Sequence, residues 1–182
     1  MFQVQGVEIT EYSAKAIGIP LETVKTAGEK EKELEPLKRR LEALELDGAV
    51  SGALRSEYQR RRLDRICQDI GIRSFAPMWH KSSDKILEEM ISEGWEIIIS
   101  AVAAQGLDES WLGRRLDRGA IKELKAISEK YAINIDGEGG EFETVVTWGP
   151  TFEKRVVIDE YVTEWRRDSG KIIIKSARLE EP

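Results

Sequence analysis

The sequence predicts an α/β fold: an α/β domain built on a parallel sheet over residues 1–104, followed by a smaller α+β domain over residues 105–182. Two observations support this division. Strand-like and helix-like segments alternate up to about residue 104, as right-handed crossovers between parallel strands require. From Gln105 the chain becomes loop-rich and then ends in strands, the last two of which are joined by the turn sequence DSG.

Helices and strands of the first part follow from spacing and from turn residues. Residues 8–17 are predicted to form a helix that Gly18 and Pro20 end, and residues 20–26 a short strand. A charged helix is expected from residue 31 to residue 44, because leucines recur there at spacings of three and four.

The next elements complete the predicted parallel sheet. GAVSG (48–52) is predicted to be a short buried strand, and the following helix carries Cys67 on its apolar face, which favours a core role for that thiol. IRSFAP is another short strand, and SSDKILEEMISEG is a helix capped by one of its serines. WEIIISAVAA (95–104) is continuously apolar, as central parallel strands are. A helix over 119–131 and the strands ETVVTW, RVVIDEYVTEWRR and KIIIKSARL follow.

Composition limits the possible functions. Charged residues make up 34% of the 182 residues and the formal charge is −6, which predicts a soluble globular protein that does not bind nucleic acid directly. The apolar runs are too short to span a bilayer, no secretory leader is visible, and a single cysteine fits the reducing cytoplasm. The lone histidine, His80, makes a Ser-His-Asp triad or a histidine metal site improbable, and no metal site is predicted.

The loop SGALRS (51–56) is the first candidate site. It follows a predicted strand and opens a helix, the place where α/β sheets bind ligands and where free amides favour an anion. A tight strand-to-helix turn explains the same pattern. The nearby donor side chains could hold a phosphate or a ribose. Candidate nucleotide-binding residues are Ser51, Gly52, Ala53, Arg55, Tyr58, Gln59 and Arg62.

Two acidic segments follow in the second part. LDESWLG (107–113) places Asp108 and Glu109 beside Trp111, although a loop with a capped helical turn and an anchoring tryptophan explains it equally well. DGEGGEFETVVTW (136–148) combines glycines with Glu138, Glu141 and Glu143 ahead of a strand. Carboxylates on a glycine frame suit a cation such as Mg²⁺, ammonium or a quaternary ammonium, whereas a solvent-facing glycine turn is the plainer alternative.

Four segments, in order along the chain, resemble the archaeal and eukaryotic diphthine–ammonia ligase family: SGALRSEYQRRRLDRICQDIGI, FAPMW, AAQGLDESWLGR and GEGGEFETVV. The resemblance extends over nearly the whole chain. It implies an adenine-nucleotide alpha hydrolase-like (HUP-type) α/β domain of the PP-loop type and a smaller family-specific domain.

The resemblance also implies an activity, the last step of diphthamide synthesis. The family uses ATP with Mg²⁺ to activate the carboxylate of diphthine, a modified histidine on translation elongation factor 2. Ammonium then displaces AMP, with pyrophosphate as co-product. On this interpretation Glu138, Glu141 and Glu143 are candidate catalytic residues. Asp108, Glu109, Trp111, Gly139, Gly140 and Thr144 are candidate substrate-binding residues.

One family segment is not found. The S-G-G-x-D-S-like PP-loop that binds pyrophosphate does not occur in the sequence, so the first domain is expected to be amino-terminally truncated. Three interpretations follow. The chain is a ligase active when that segment is supplied, or a non-catalytic or split-subunit relative that binds nucleotide or elongation factor 2, or a remnant stable as a homo-oligomer, since a missing strand leaves a sheet edge exposed.

Overall fold

A computed structural model describes residues 7–25 and 34–182. Their helices and strands agree with a mixed α/β fold, and short 3₁₀ turns lie at Val7–Ile9 and Glu109–Trp111. The helices are α1 (Thr10–Ile17), α2 (Leu34–Ala43), α3 (Glu57–Ile70), α4 (Ser83–Ser92) and α5 (Arg118–Tyr131); the strands are β1 (Gly48–Val50), β2 (Arg73–Phe75), β3 (Glu96–Val102), β4 (Phe142–Trp148), β5 (Arg155–Arg166) and β6 (Ser169–Glu180).

Contacts group the described residues into two compact units. The first unit is Glu22–Lys81, and the second comprises residues 7–21 together with Ser82–Pro182. The grouping by contacts therefore changes at Ser82, so that β3 belongs to the second unit. The predicted division near residue 105 concerned a nucleotide side and a substrate side, and it stays a prediction.

The first unit contains a small parallel sheet. β1 and β2 pair in parallel, with Ala49 opposite Ser74, as the alternation of strand and helix predicted. Cys67 is buried on the apolar face of α3, which confirms its core role. The prediction that β1 is buried is wrong, because the side chain of Val50 is 72% exposed and its partner Phe75 is 62% exposed.

The second unit contains a four-stranded antiparallel sheet in the order β4-β3-β6-β5. The prediction that residues 95–104 form a parallel strand is wrong, since β3 pairs antiparallel with β4 and with β6. Apart from Glu96 and Ser100 the strand is apolar, because hydrophobic clusters cover both faces of the sheet. A continuous apolar run reports burial on two faces and says nothing of strand direction.

Two hydrophobic clusters form the core of the second unit. One contains Leu124 of α5 and Phe142 of β4, and the other contains Ala16 of α1 and Val145 of β4. Phe142 and Val145 are three residues apart on a strand, so their side chains point to opposite faces of the sheet. Helices α4 and α5 therefore lie on one face, and α1 lies on the other.

Most predicted helices are confirmed, and one predicted strand is not. Helix α1 ends at Gly18, which adopts a left-handed conformation, and α5 and the β5–β6 hairpin lie where the sequence placed them. Helix α2 covers residues 34–43 of the predicted 31–44 helix, Leu44 lies in a turn, and residues 31–33 lie outside the described residues. Residues 20–25 form no strand; their few apolar side chains find little cover, and Leu21 is 37% exposed. Thr26 lies outside the described residues.

Bilayer-spanning helices are not found in the part of the chain that the structure describes: none of its helices is both long enough and apolar enough.

Candidate functional site

The glycine-glutamate loop immediately precedes β4 and is held by its own carboxylate. One oxygen of Glu141, Oε1, accepts hydrogen bonds from the backbone N–H of Asn134 at 2.9 Å and from its side-chain amide at 2.6 Å. The other oxygen, Oε2, accepts from the backbone N–H of Gly139 at 2.8 Å. Both carboxylate oxygens are therefore engaged in closing the loop, which gives Glu141 a structural role beside its predicted catalytic one.

Asp136 fixes the start of the same loop. Its Oδ1 accepts from the backbone N–H of Glu138 at 3.1 Å, and its Oδ2 accepts from the buried hydroxyl of Ser83. Ser83 is the first residue of α4, so the carboxylate joins the loop to the beginning of a core helix. The sequence had suggested Ser82 or Ser83 as a helix cap; the Ser83 hydroxyl instead holds the loop.

Glycines allow this closed shape. Gly137 and Gly140 have φ values of +74° and +85°, in a region of backbone conformation that residues other than glycine rarely adopt. A Cβ at Gly139 would lie 2.6 Å from Oε1 of Glu141, so the Glu141 side chain would have to shift to admit one. The positive φ values at Gly137 and Gly140 are the stronger reason for glycine in this loop.

Glu143 lies in a row of facing residues that crosses the sheet. It is opposite Ala101 of β3, Ala101 is opposite Lys171 of β6, and Lys171 is opposite Glu164 of β5. Directly opposed residues of antiparallel strands carry their side chains on the same face. The row reads acidic, small, basic, acidic, and Lys171 Nζ lies 3.8 Å from Glu164 Oε2.

A cavity of about 370 Å³ opens over this row. Its lining comes from the end of the glycine-glutamate loop, from β3 and from the β5–β6 hairpin. The lining residues are Ala101, Val102, Ala103, Gly140, Phe142, Glu143, Glu164, Arg166, Ser169, Gly170 and Lys171. The structure therefore brings Glu143 and Gly140 together with Glu164, Arg166 and Lys171, which sequence reasoning missed.

The remaining predicted residues of the loop lie near this cavity in sequence but do not line it. Glu138 and Gly139 belong to the closed loop. Thr144 follows Glu143 on β4 and lies opposite Ile99 of β3. Their predicted roles in catalysis and substrate binding stay predictions.

The segment LDESWLG forms a capped turn against the core. Asp108 accepts hydrogen bonds from the backbone N–H and the hydroxyl of Ser110, and the hydroxyl bond lowers the pKa of Asp108 most. The ring of Trp111 is buried at 4% exposure, and the guanidinium of Arg114 lies 4.4 Å from its centre. Glu109 is exposed, with Oε1 3.5 Å from the hydroxyl of Thr163. Asp108 and Trp111 thus have structural roles, while substrate binding by the three residues stays a prediction.

The strand-to-helix loop of the first unit lies where the sequence placed it. The backbone N–H of Ser51 donates to the carbonyl of Phe75 at 2.9 Å, which carries the β1–β2 pairing one residue beyond the strands. Gly52 is exposed and Ala53 is buried. Ser56 caps α3 by accepting from the backbone N–H of Gln59 at 3.3 Å.

Donor side chains gather at the start of α3, as predicted. Arg55 and Tyr58 are exposed, and the guanidinium of Arg62 lies 3.3 Å from the centre of the Tyr58 ring. Arg62 also donates to the carbonyl of Tyr58 at 3.1 Å, so the two side chains form one stacked group. Nucleotide binding by these residues stays a prediction.

Two reactive residues of the first unit have packing roles. Burial raises the pKa of the Cys67 thiol, and the side chain is 1% exposed. His80 stacks on Trp79 with ring centres 4.6 Å apart, and Arg60 lies 4.4 Å from the Trp79 ring centre. Within residues 7–25 and 34–182, no group of three or more histidine, cysteine or acidic side chains is arranged to hold a metal ion.

Comparison with known domain families defines the class of protein. The amino-terminal part, residues 1–74, matches the family described as diphthamide synthase N-terminal domain. Residues 82–179 match the diphthamide synthase C-terminal domain. The first match ends at residue 74 and the second begins at residue 82, where the grouping by contacts also changes from the first unit to the second. The chain is thus a protein of the diphthamide synthase class.

Curated relatives narrow this class. A diphthine–ammonia ligase of Danio rerio is 34% identical over 93% of this chain and 72% of its own length. The diphthine–ammonia ligase of Homo sapiens is 32% identical over 97% of this chain and 68% of its own length. That of Schizosaccharomyces pombe is 31% identical over 94% of this chain and 31% of its own length. The chain belongs to the diphthine–ammonia ligase family.

Proposed function

We propose that the chain takes part in the ATP-dependent amidation of diphthine on translation elongation factor 2, with ammonium as nitrogen donor. The observation that carries the proposal is that Glu143, on the strand that follows the glycine-glutamate loop, lines a cavity that also contains basic side chains. A carboxylate is a suitable contact for ammonium or a trimethylammonium group, both of which belong to this reaction.

The reaction needs a better leaving group than oxide. Attack of the diphthine carboxylate on the α-phosphate of ATP gives an acyl-adenylate and pyrophosphate, and attack by ammonia on the acyl carbon then expels AMP. The protein contributes by positioning the reactants and balancing their charges. We assign Glu143 and Glu138 to the cationic reactants. Glu141 is assigned to holding the loop, because its oxygens accept three hydrogen bonds within it.

Nucleotide binding is assigned to the first unit. The loop 51–56 ends at the start of α3, a helix of 14 residues whose first amides favour an anion. Arg55 and the stacked pair of Tyr58 and Arg62 supply further donors and an aromatic surface. Mg²⁺ would then be held through the phosphates of ATP, since the described residues contain no acidic cluster arranged for it.

The wider arrangement is part of the same proposal. Residues 1–104 form the nucleotide side, in a fold of the adenine-nucleotide alpha hydrolase-like, PP-loop type, and residues 105–182 form the substrate side. Elongation factor 2 in its diphthine form is the partner.

The test is an assay of AMP formation. The chain is mixed with ATP, Mg²⁺, ammonium and diphthine-bearing elongation factor 2, and AMP is quantified with and without each reactant. The chain spans 72% of the Danio rerio relative. A second arm therefore adds the part of that relative that the chain does not match, as a separate polypeptide.

AMP formation that requires both ammonium and the diphthine-bearing factor, in either arm, is the expected result. Glu143→Gln should reduce it, and Glu129→Gln, which changes an exposed carboxylate on α5, should leave it unchanged. AMP absent from both arms, or AMP formed without the diphthine-bearing factor, would contradict the proposed function.

A further inference from the structure

The cavity over the sheet has two differently charged ends. Glu143 on β4 and Lys171 on β6 are separated by one strand, β3, which contributes Ala101 between them. Two strand spacings amount to about 10 Å. The methyl side chain of Ala101 leaves the middle of this span open, and all three residues line the cavity.

Lys171 retains the capacity to bind an anion. Its side chain is 36% exposed, and its Nζ lies 3.8 Å from Oε2 of Glu164, at the long limit of an ion pair. An ammonium group has three N–H donors, so one distant carboxylate does not use them all. Arg166 follows Glu164 by two residues on β5 and adds a second cation at the same end of the cavity.

We propose that this cavity binds a small zwitterion with its quaternary ammonium toward Glu143 and its carboxylate toward Lys171, and that Lys171 is the residue that selects for the carboxylate. The inference rests on the proposed function, because the diphthine side chain carries both groups. It adds an orientation and a residue of β6 to the predicted site on β4.

Charge decides between a zwitterion and simpler ligands. A phosphate or pyrophosphate at Lys171 would also face Glu143 and Glu164, and a plain cation at Glu143 would face Lys171 and Arg166. Like charges brought this close repel one another, and the repulsion is stronger in a partly desolvated cavity than in water. A ligand with opposite charges at its two ends places its cation toward Glu143 and away from Lys171, and its carboxylate toward Lys171 and away from Glu143. The contact with Glu164 is the same for any anion bound at Lys171.

Glycine betaine is the probe, since it carries a trimethylammonium group and a carboxylate on one carbon and has no other functional group. The chain labelled with ¹⁵N is titrated with glycine betaine, and amide shifts are followed by NMR. Tetramethylammonium, acetate and pyrophosphate are titrated separately, as cation, anion and phosphate ligands. The expected shifts are centred on Ala101, Gly140, Gly170 and Lys171.

Variants assign the carboxylate end. Lys171→Gln should weaken betaine binding about tenfold, the effect of losing one charge-assisted contact of about 1.4 kcal/mol. Lys171→Arg should restore most of the affinity, because it restores the charge. Lys175→Gln, an exposed lysine on the same strand outside the cavity lining, is the matched control and should bind like the unchanged chain.

The outcomes separate this inference from the proposed function. Betaine that binds no better than tetramethylammonium or acetate overturns the inference, as does tighter binding of pyrophosphate, or an equal loss in Lys175→Gln. If betaine fails to bind while AMP formation depends on diphthine, the inference falls and the proposed function stands. Betaine binding that depends on Lys171, with no AMP formed in either arm, supports the inference and removes the proposed function.

Discussion

At the scale of single residues, the three glutamates of the loop divide into different roles. Glu141 closes the loop through Asn134 and Gly139, whereas Glu143 lies on the strand and lines the cavity. Sequence alone could not separate them, because all three stand within six residues beside glycines. Which carboxylate folds back on the backbone depends on the three-dimensional path of the loop, which residue types and spacing do not determine.

Removing the Glu141 charge should loosen the loop while leaving the sheet intact. In Glu141→Gln an N–H donor replaces one acceptor, so at least one of the bonds to Asn134 and Gly139 is lost, and the free energy of unfolding should fall by about 1–2 kcal/mol. Hydrogen exchange at the Asn134 and Gly139 amides, together with urea unfolding, measures this. Glu129→Gln is the control, and equal exchange rates in all three proteins would refute the role given to Glu141.

Gly137 should tolerate a side chain less well than a glycine of similar backbone conformation. Gly137 and Gly94 have φ values of +74° and +85°, so alanine at either costs about 1–2 kcal/mol of conformational strain. A Cβ at Gly137 would also lie 2.7 Å from the carbonyl oxygen of Phe142, whereas Gly94 has open space around it. Urea unfolding should show a larger loss for Gly137→Ala than for Gly94→Ala. An equal loss of unfolding free energy in the two variants would contradict this prediction, because it would show that the added Cβ does not clash with the carbonyl of Phe142.

At the scale of elements, the parallel β1–β2 pair, the β5–β6 hairpin and most helices follow the sequence predictions, whereas the direction of β3 does not. The Gly18 stop, the α5 helix and the DSG turn depend on local chemistry that the sequence carries. The direction of β3 depends on which strands become its neighbours, and an apolar run buried on both faces is the same in either case. The pairing of Glu164 with Lys171 could also be predicted from the sequence. The predicted turn fixes the register of the β5–β6 hairpin, and this register places the two residues opposite each other.

A surface ion pair joins the turn after Trp111 to α5. Arg114 donates to both oxygens of Glu123, at 2.7 and 2.6 Å, and this hydrogen bonding holds the pKa of Glu123 below its usual 4.5. A carboxylate with a lowered folded-state pKa stabilises the fold above its usual pKa, and this stabilisation is lost as the pH falls through the lowered value.

Glu123→Gln should therefore be less stable than the unchanged chain at pH 7, and the difference should shrink as the pH falls below 4.5. Urea unfolding over a pH series measures it, with Glu129→Gln as the exposed control on the same helix. A difference that stays constant down to the lowest pH would show that the ion pair is not its source.

At the scale of the whole molecule, the sequence resemblance proved more informative than composition. Composition and charge predicted a globular protein, the alternation of strands and helices predicted an α/β fold, and the four motif segments led to the family to which the chain belongs. The two parallel strands of the first unit leave Val50 and Phe75 exposed, a feature that short-range patterning could not foresee. Burial depends on what covers an element, and periodicity reports only which residues are apolar.

The most direct test of the central claim is transfer of nitrogen to the substrate protein. Diphthine-bearing elongation factor 2 is incubated with the chain, ATP and ¹⁵N-ammonium, in both arms described above, and the modified histidine peptide is analysed by mass spectrometry. The account predicts ¹⁵N in the amide of that peptide, reduced in Glu143→Gln and retained in Glu129→Gln. A peptide that keeps its carboxylate in both arms would contradict it.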